Sequence, residues 1–177
     1  MSKYLLVLST SIGALAGIWT WLAFTLPNLG PVPFVLWPTF IAWAAFFYAG
    51  ATVDGMVKGL VQLFTGAILS WVMMMIFVAA NPPAASVPAM LGVVVFVIAW
   101  ALTAVSGVNK LWSLVPAGFC GAASYFGVGS AVPAGQAHSV THLLATLFPL
   151  LAGELLGWTS AAFAEPAKAP AAEAVRA

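Results

Sequence analysis

The sequence predicts an all-α, polytopic transmembrane helix bundle of about six spans. Three observations lead to this fold class. The chain is 63% hydrophobic and only 5% charged, six apolar segments are long enough to cross a bilayer, and turn-forming residues separate them. Soluble domains are usually about 25% charged, and a chain of 177 residues has too little interior to hide this much apolar surface from water. We therefore expect lipid to surround the protein.

The spans follow from the length of the apolar runs. A helix needs about 20 residues to cross the hydrocarbon core of a lipid bilayer, which is about 30 Å thick. Six apolar segments are about this long: 4–26, 33–50, 56–80, 87–107, 111–129 and 141–163. The first is longer than the apolar part of a usual signal peptide and lacks a small-x-small cleavage pattern, so we expect it to remain as a span. The second and fifth are the shortest, and each has a proline near its start, Pro38 and Pro116. Pro, Gly and Asn mark the breaks at 27–31, 81–83 and 106–109.

Domain organisation and orientation follow from the charges. Residues 1–163 form one transmembrane helical domain, and the Ala/Pro-rich residues 164–177 are expected to be a disordered tail. With six spans, all five basic residues fall on the side that holds both termini: Lys3, Lys58, Lys110, Lys168 and Arg176. The positive-inside rule then places both termini in the cytoplasm. A five-span arrangement would split these charges.

The two halves of the chain share a pattern that suggests a 3+3 repeat. The paired features are 37–40 leading to 45–47 against 115–119 leading to 124–126, and Gly66 with Trp71 against Gly153 with Trp158. Because three spans is an odd number, such a repeat would be inverted in the membrane. Inverted repeats recur in channels and secondary transporters, with the solute path at their interface. Similar composition of apolar helices is the alternative explanation.

Three stretches resemble a known family. They are SIGALAGIWTW at 11–21, residues 40–50, and SLVPAGFCGAASYF at 113–126. The sequence resembles the small bacterial inner-membrane proteins classed as domain of unknown function 1097. The resemblance covers all six spans but not the tail. It implies a multi-pass protein of the bacterial inner membrane and supplies no activity, catalytic residue or binding residue.

Glu154 is the only acid or base inside a span, near the middle of span 6. A charge at this depth is costly, so such residues usually face a cavity or the interior of the bundle. One interpretation is a polar point on a solute or proton path. The alternatives are a protonated carboxyl bonded to a carbonyl, or a partner for Lys58 or Lys110.

Other charged and polar residues cluster near the ends of the spans. His138 and His142 are four residues apart at the outer entrance of span 6, where they could sense pH, bind a metal or simply lie at the interface. No acid or cysteine is expected on that side, so we predict no metal site. Asp54 and Lys58 lie at the inner mouth, either as a simple helical ion pair or as a charged entrance.

Small and aromatic residues supply further candidates. Gly13 with Gly17, and Gly153 with Gly157, have the G-x-x-x-G spacing that lets helices approach closely, within one bundle or between subunits. Aromatic side chains deep in the spans either line a solute path or fill the core. Together with Glu154, the candidates for the path are Trp71, Trp100, Phe47, Tyr125 and Phe126.

These observations favour a channel or facilitator for a small, mostly neutral solute. The alternative is a non-transporting membrane subunit that anchors, assembles or regulates a partner protein. A membrane-embedded enzyme would need a cluster of polar residues that the sequence does not show, so we expect no enzymatic activity and no cofactor. The single cysteine, Cys120, excludes an internal disulfide. No basic stretch could neutralise a nucleic acid. The expected partners are the lipid bilayer, a small solute, and either a second copy or another membrane protein.

Overall fold

A computed structural model describes residues 2–26 and 28–168. It contains six α-helices: α1 (Lys3–Thr25), α2 (Trp37–Tyr48), α3 (Val53–Ala80), α4 (Val87–Val105), α5 (Val115–Val128) and α6 (Val140–Ala164). A two-stranded antiparallel hairpin, β1 (Asn28–Leu29) and β2 (Val32–Pro33), joins α1 to α2. Short 3₁₀ turns precede α4, α5 and α6 and follow α6. The all-α prediction is confirmed.

Helix starts follow the local sequence. Hydroxyl side chains cap three of the long helices: Ser2 accepts from the Leu5 amide at 3.2 Å, Thr52 from Gly55 at 3.0 Å, and Ser139 from His142 at 3.3 Å. Both α2 and α5 instead begin with a proline in their first two positions and have no side-chain cap. Proline is suited to this position because its missing N–H would have no helical partner there.

Four of the helical segments are long and apolar enough to cross a membrane: Lys3–Thr25, Val53–Ala80, Ala84–Val105 and Val140–Ala167. The other two helices are shorter than the predicted spans 33–50 and 111–129. With 12 and 14 residues, α2 and α5 are about 18 and 21 Å long at 1.5 Å per residue. Neither reaches the roughly 30 Å of a bilayer core by itself. Each of the apolar segments predicted as spans 2 and 5 therefore consists of a short α-helix and a preceding stretch of chain that is not α-helical.

Both short helices begin beside the midpoint of a long one. A Cβ atom placed on Gly153, near the midpoint of α6, would fall on the carbonyl oxygen of Thr39 in the first turn of α2. A Cβ placed on Gly66, near the midpoint of α3, would fall on the carbonyl oxygen of Gly118 in the first turn of α5. The backbone of α2 thus contacts Gly153 of α6 directly, and the backbone of α5 contacts Gly66 of α3 in the same way.

The helices of the two halves pair across the molecule. The most extensive contacts join α2 to α6 and α3 to α5. Outside these pairs, α1 packs on α6 and α4 packs on α3, while α3 contacts α6 and α2 contacts α5 at the centre. The core contains Ala42, Leu63, Ala67, Tyr125 and Leu150. Large apolar side chains cover the outside, for example Phe24, Phe96 and Trp100, which suits a lipid-facing surface.

Regular structure continues beyond the end of the last predicted span. The expected disordered tail begins at 164, but α6 includes Ala164 and a 3₁₀ turn follows at Glu165–Ala167, packed on α1. Lys168 pairs with Glu165 at 2.6 Å and lies 5.6 Å from the ring centroid of Tyr4. The predicted tail is therefore wrong for 164–168. The rest of it, 169–177, falls outside the described residues.

Candidate functional site

Polar side chains are buried where the central helices meet. Within the described ranges, eight polar or charged residues are buried, all of them on α2, α3, α5 or α6: Thr39, Gln62, Ser70, Ser124, His142, Thr146, Glu154 and Ser160. Some of them bond to neighbouring groups, but several have oxygens without a partner. Because nearly all buried polar groups in proteins are satisfied, the unpartnered ones mark the candidate site.

Glu154 lies in the interior of the bundle with no exposed surface. Neither carboxyl oxygen has a hydrogen-bond partner among the described residues. Its Oε1 faces Gly59 of α3 so closely that a Cβ there would collide with it. The basic partner suggested by the sequence is not observed, because Lys58 pairs with Asp54 at 2.5 Å and Lys110 is exposed.

Gln62 lies one helical turn after Gly59 on the same buried face of α3. Its side-chain amide nitrogen donates to the carbonyl oxygen of Trp112, in the 3₁₀ turn Lys110–Trp112 before α5. The Trp112 indole in turn donates to the Thr65 hydroxyl at 3.1 Å. The other end of the Gln62 amide, Oε1, has no partner among the described residues. It faces Gly118, where a Cβ would lie 2.9 Å away.

Two serines continue the row of unpartnered oxygens. Ser70 is buried on α3 two turns beyond Gln62, and Ser124 is buried on α5. Neither hydroxyl oxygen has a partner within the described part of the chain. Gln62, Ser70 and Ser124 were not predicted from the sequence, because uncharged polar residues inside the spans were not considered as candidates. A glutamine inside an apolar run was the available signal.

The predicted outer entrance forms a bonded cluster. The Tyr125 hydroxyl lies 2.9 Å from Nδ1 of His138, and Nε2 of His142 lies 2.9 Å from the Tyr125 carbonyl oxygen. The rings of Tyr125 and His142 stack with centroids 4.2 Å apart. The His138 amide donates to Nδ1 of His142 at 3.1 Å, and the Trp71 indole donates to the His138 carbonyl at 2.8 Å. The structure thus joins Trp71 and Tyr125 to both histidines.

This cluster fixes the protonation of His142. Because Nδ1 accepts from a backbone N–H, the proton of the neutral ring is on Nε2, which donates to the Tyr125 carbonyl. His138 has a left-handed backbone with φ of 61°, which is uncommon for a residue other than glycine. Burial lowers the pKa of His138 below its usual value of 6.5. Both rings are therefore held as neutral hydrogen-bonding groups.

Other predicted path residues lie away from these polar groups. Trp100 is 65% exposed on α4 and Phe126 is 40% exposed on α5, so both face outward. Phe47 is half-buried with its ring 5.3 Å from that of Phe46. At the predicted inner mouth, Asp54 and Lys58 form an ion pair in which the Asp54 side chain is 75% exposed.

The two glycine pairs behave differently. Gly153 and Gly157 pack against α2, where added Cβ atoms would meet Thr39 and Phe46. Gly13 and Gly17 on α1 are exposed, and an added Cβ would meet nothing within 4 Å. The first pair therefore serves packing within the bundle, whereas the second faces outward.

Clefts are found on the surface around this core. One of about 400 Å³ lies between the hairpin segment, the start of α2 and Ala131–Pro133. Another of about 460 Å³ lies at the opposite end, beside Trp158 and Glu165. Neither is lined by Glu154 or Gln62, so the buried oxygens are closed off from both clefts.

The comparisons with known proteins agree with the sequence resemblance. The family model described as "Protein of unknown function (DUF1097)" matches residues 9–165, so the chain belongs to that family. No curated protein and no solved structure matches the chain. The family match begins within α1 and continues through the other five helices to Glu165.

Proposed function

We propose that the protein is a channel or facilitator of the bacterial inner membrane that carries a small, mostly neutral solute. The observation that carries this proposal is the pair of short helices that begin beside the midpoints of α3 and α6. Non-helical backbone at membrane depth is tolerated only where protein buries it or where it lines a water-filled cavity. Discontinuous helices of this kind typically form the solute sites of transporters.

An inverted 3+3 repeat is part of the proposal. If α1, α2 and α3 are exchanged for α4, α5 and α6, most helix pairs are preserved: α2 with α6 becomes α5 with α3, and α1 with α6 becomes α4 with α3. The contact of α4 with α5 is the exception, because α1 and α2 do not make a comparable one. Gly66 and Gly153, which the sequence pattern aligned, occupy the same place in these pairs. This agreement supports a duplication rather than a shared composition.

The six crossings and their orientation are retained in the proposal. The chain from 28 to 36 together with α2, and the chain from 106 to 114 together with α5, each complete one crossing. Both termini are then cytoplasmic, with all five basic residues on the inner side.

The electrostatics favour a neutral solute. The N-terminal end of a helix carries roughly half a positive charge, and the positive ends of half-helices oppose the passage of cations. Here two such ends lie at mid-depth, beside Gly153 and Gly66. Among the described residues, Glu154 is the one buried carboxylic acid and His142 is the one buried base. The proposal includes no enzymatic step, cofactor or nucleic acid.

A non-transporting subunit is the second candidate. Two observations favour it: the outward-facing Gly13 and Gly17 on α1, and the absence of Glu154 from the linings of the clefts described above. Small residues on an exposed helix face allow another transmembrane helix to pack closely. That helix could belong to a second copy of the chain or to another membrane protein.

The test is a flux assay. Purified protein in liposomes would be mixed with small neutral solutes and weak acids, and the volume change followed by stopped-flow light scattering. We expect swelling faster than in empty liposomes for at least one solute, and slower swelling for Glu154→Gln at equal reconstitution. Trp100→Phe, on the lipid-facing surface, is the matched control and is expected to behave like the unmodified protein. Absence of flux for every solute would favour the subunit.

A further inference from the structure

We propose that Glu154 and Gln62 form a binding site for small solutes that carry N–H donors, such as simple carboxamides and ureas. The proposal rests on the transport role proposed above and names its solute class. Three unpartnered oxygens lie here: both carboxyl oxygens of Glu154 and Oε1 of Gln62. All three are fully enclosed. Oε1 of Gln62 can only accept, and at least one carboxyl oxygen of Glu154 accepts whether or not the other carries a proton. A ligand that satisfies them must therefore supply at least two hydrogen-bond donors.

The chemistry of Gln62 is fixed by its neighbour. An amide side chain can be turned so that either its nitrogen or its oxygen faces a given group, and the hydrogen-bond network decides between them. The Trp112 carbonyl can only accept, so the nitrogen of Gln62 must face it. Oε1 is therefore held toward Gly118, with its acceptor positions open.

Both groups lie beside one face of α3. Glu154 Oε1 lies against Gly59, and Gln62 follows Gly59 by three residues on the same face of α3. Residues at this spacing have their Cβ positions about 5–6 Å apart. The carboxyl from α6 and the amide from α3 are therefore held at positions one helical turn apart, and the proposed ligand lies between them. Gly59 and Gly118 are the backbone positions that face them, and any larger residue there would collide with these oxygens.

The donors nearby are few. Within the described residues, the other unpartnered side-chain oxygens on α3 and α5 are the hydroxyls of Ser70 and Ser124. A solute with only acceptors would leave Gln62 Oε1 without a donor, whereas an amide NH₂ group supplies two donors. The positive ends of α2 and α5 disfavour a cationic donor such as an ammonium ion. A neutral amide is the class that fits these groups.

A series of three amides tests this assignment. Acetamide, N-methylacetamide and N,N-dimethylacetamide carry two, one and no N–H donors, while their permeation through lipid alone increases in that order and is subtracted with empty liposomes. We expect protein-dependent flux to fall along the series by about tenfold for each hydrogen bond lost, and so by about a hundredfold from acetamide to dimethylacetamide. We expect Gln62→Leu and Glu154→Gln to lower acetamide flux, and the surface variant Trp100→Phe to leave it unchanged.

Binding is measured separately from flux by the thermal stability of the purified protein in detergent. Acetamide is expected to raise the Tm relative to dimethylacetamide at equal concentration, and Gln62→Leu to abolish the difference. Flux that ignores the number of N–H donors, or that both variants leave intact, would overturn the site but not the transport role. Ligand-dependent stabilisation without flux would retain the site and overturn transport. Equal Tm values for the two amides, in a chain without flux, would overturn both.

Discussion

Replacing the glycines beneath the short helices tests the central feature of the fold. In Gly153→Ala the new methyl group would meet the carbonyl oxygen of Thr39, and in Gly66→Ala that of Gly118. Because these are backbone atoms, no side-chain rotation relieves the contact, and the short helix must move. Overpacking of this kind costs about 3 kcal/mol at the upper end of its usual range. The better helix propensity of Ala offsets about 1 kcal/mol of it, so we expect a net loss of about 2 kcal/mol.

Gly13→Ala and Gly92→Ala are the matched controls. Both lie in helices, α1 and α4, and an added Cβ would meet nothing within 4 Å. We expect these two variants to be unchanged or stabilised by up to about 1 kcal/mol, since only helix propensity changes. The difference between the two classes is therefore about 3 kcal/mol, the cost of the contact itself.

Reversible unfolding in mixed detergent, followed by the change in helical circular dichroism, gives the free energy of unfolding for the four variants. If Gly153→Ala and Gly66→Ala are as stable as the controls, the close approach of the short helices is refuted. If only one of them is destabilised, the equivalence of the two halves is refuted while the fold around the other glycine stands.

Two further predictions concern the ends of the bundle. Burial lowers the pKa of His138 in the folded protein. As the pH falls, the unfolded chain therefore takes up this proton before the folded protein does. The stabilisation that the neutral ring contributes is complete above pH 6.5 and is lost as the pH falls from there through the folded-state pKa. Protonation of Nδ1 also removes the acceptor of the Tyr125 hydroxyl, and His142 is the other titratable group facing this ring. Thermal melts should show a Tm that decreases below pH 6.5, and less so in His138→Asn, since asparagine tolerates the left-handed backbone; an identical pH profile in that variant would contradict the assignment. Asp54→Asn removes the ion pair with Lys58, but because Asp54 is largely exposed we expect less than about 1 kcal/mol, and a larger loss of unfolding free energy would show that the pair is shielded from water.

The sequence was sufficient for the fold class and for most helix ends. Apolar length located the four long helices, and Pro38 and Pro116 lie at the starts of the two short ones. Hydropathy could not separate the short helices from the chain before them, which is not α-helical, because both parts are apolar. The distinction depends on tertiary contacts, above all those of Gly66 and Gly153 with backbone carbonyls.

The candidate site was predicted less completely. Glu154 was recognisable because an acid inside a span is costly, and the spacing of His138 and His142 placed them on one face. Trp100 was grouped with them because its position along the chain suggested depth, but depth does not determine which face of a helix points inward. The structure leaves it 65% exposed. The orientation of the Gln62 side chain depends on its hydrogen bond to Trp112, which is far away in sequence. No local sequence pattern could therefore have identified Gln62 as a site residue.

The proposed repeat allows each residue of the candidate site to be compared with the residue at the equivalent position in the other half of the chain. With Gly66 aligned to Gly153, the position of Glu154 corresponds to Ala67, that of Gln62 to Pro149, and that of Ser70 to Gly157. The glycine under each short helix, Gly66 and Gly153, is thus common to both halves, whereas Glu154, Gln62 and Ser70 each have an apolar or small counterpart. Because the fold is built without a polar group at the equivalent position, these polar groups are not required for helix packing. Their burial without partners is better explained by a ligand than by stability, and Glu154→Ala should therefore fold.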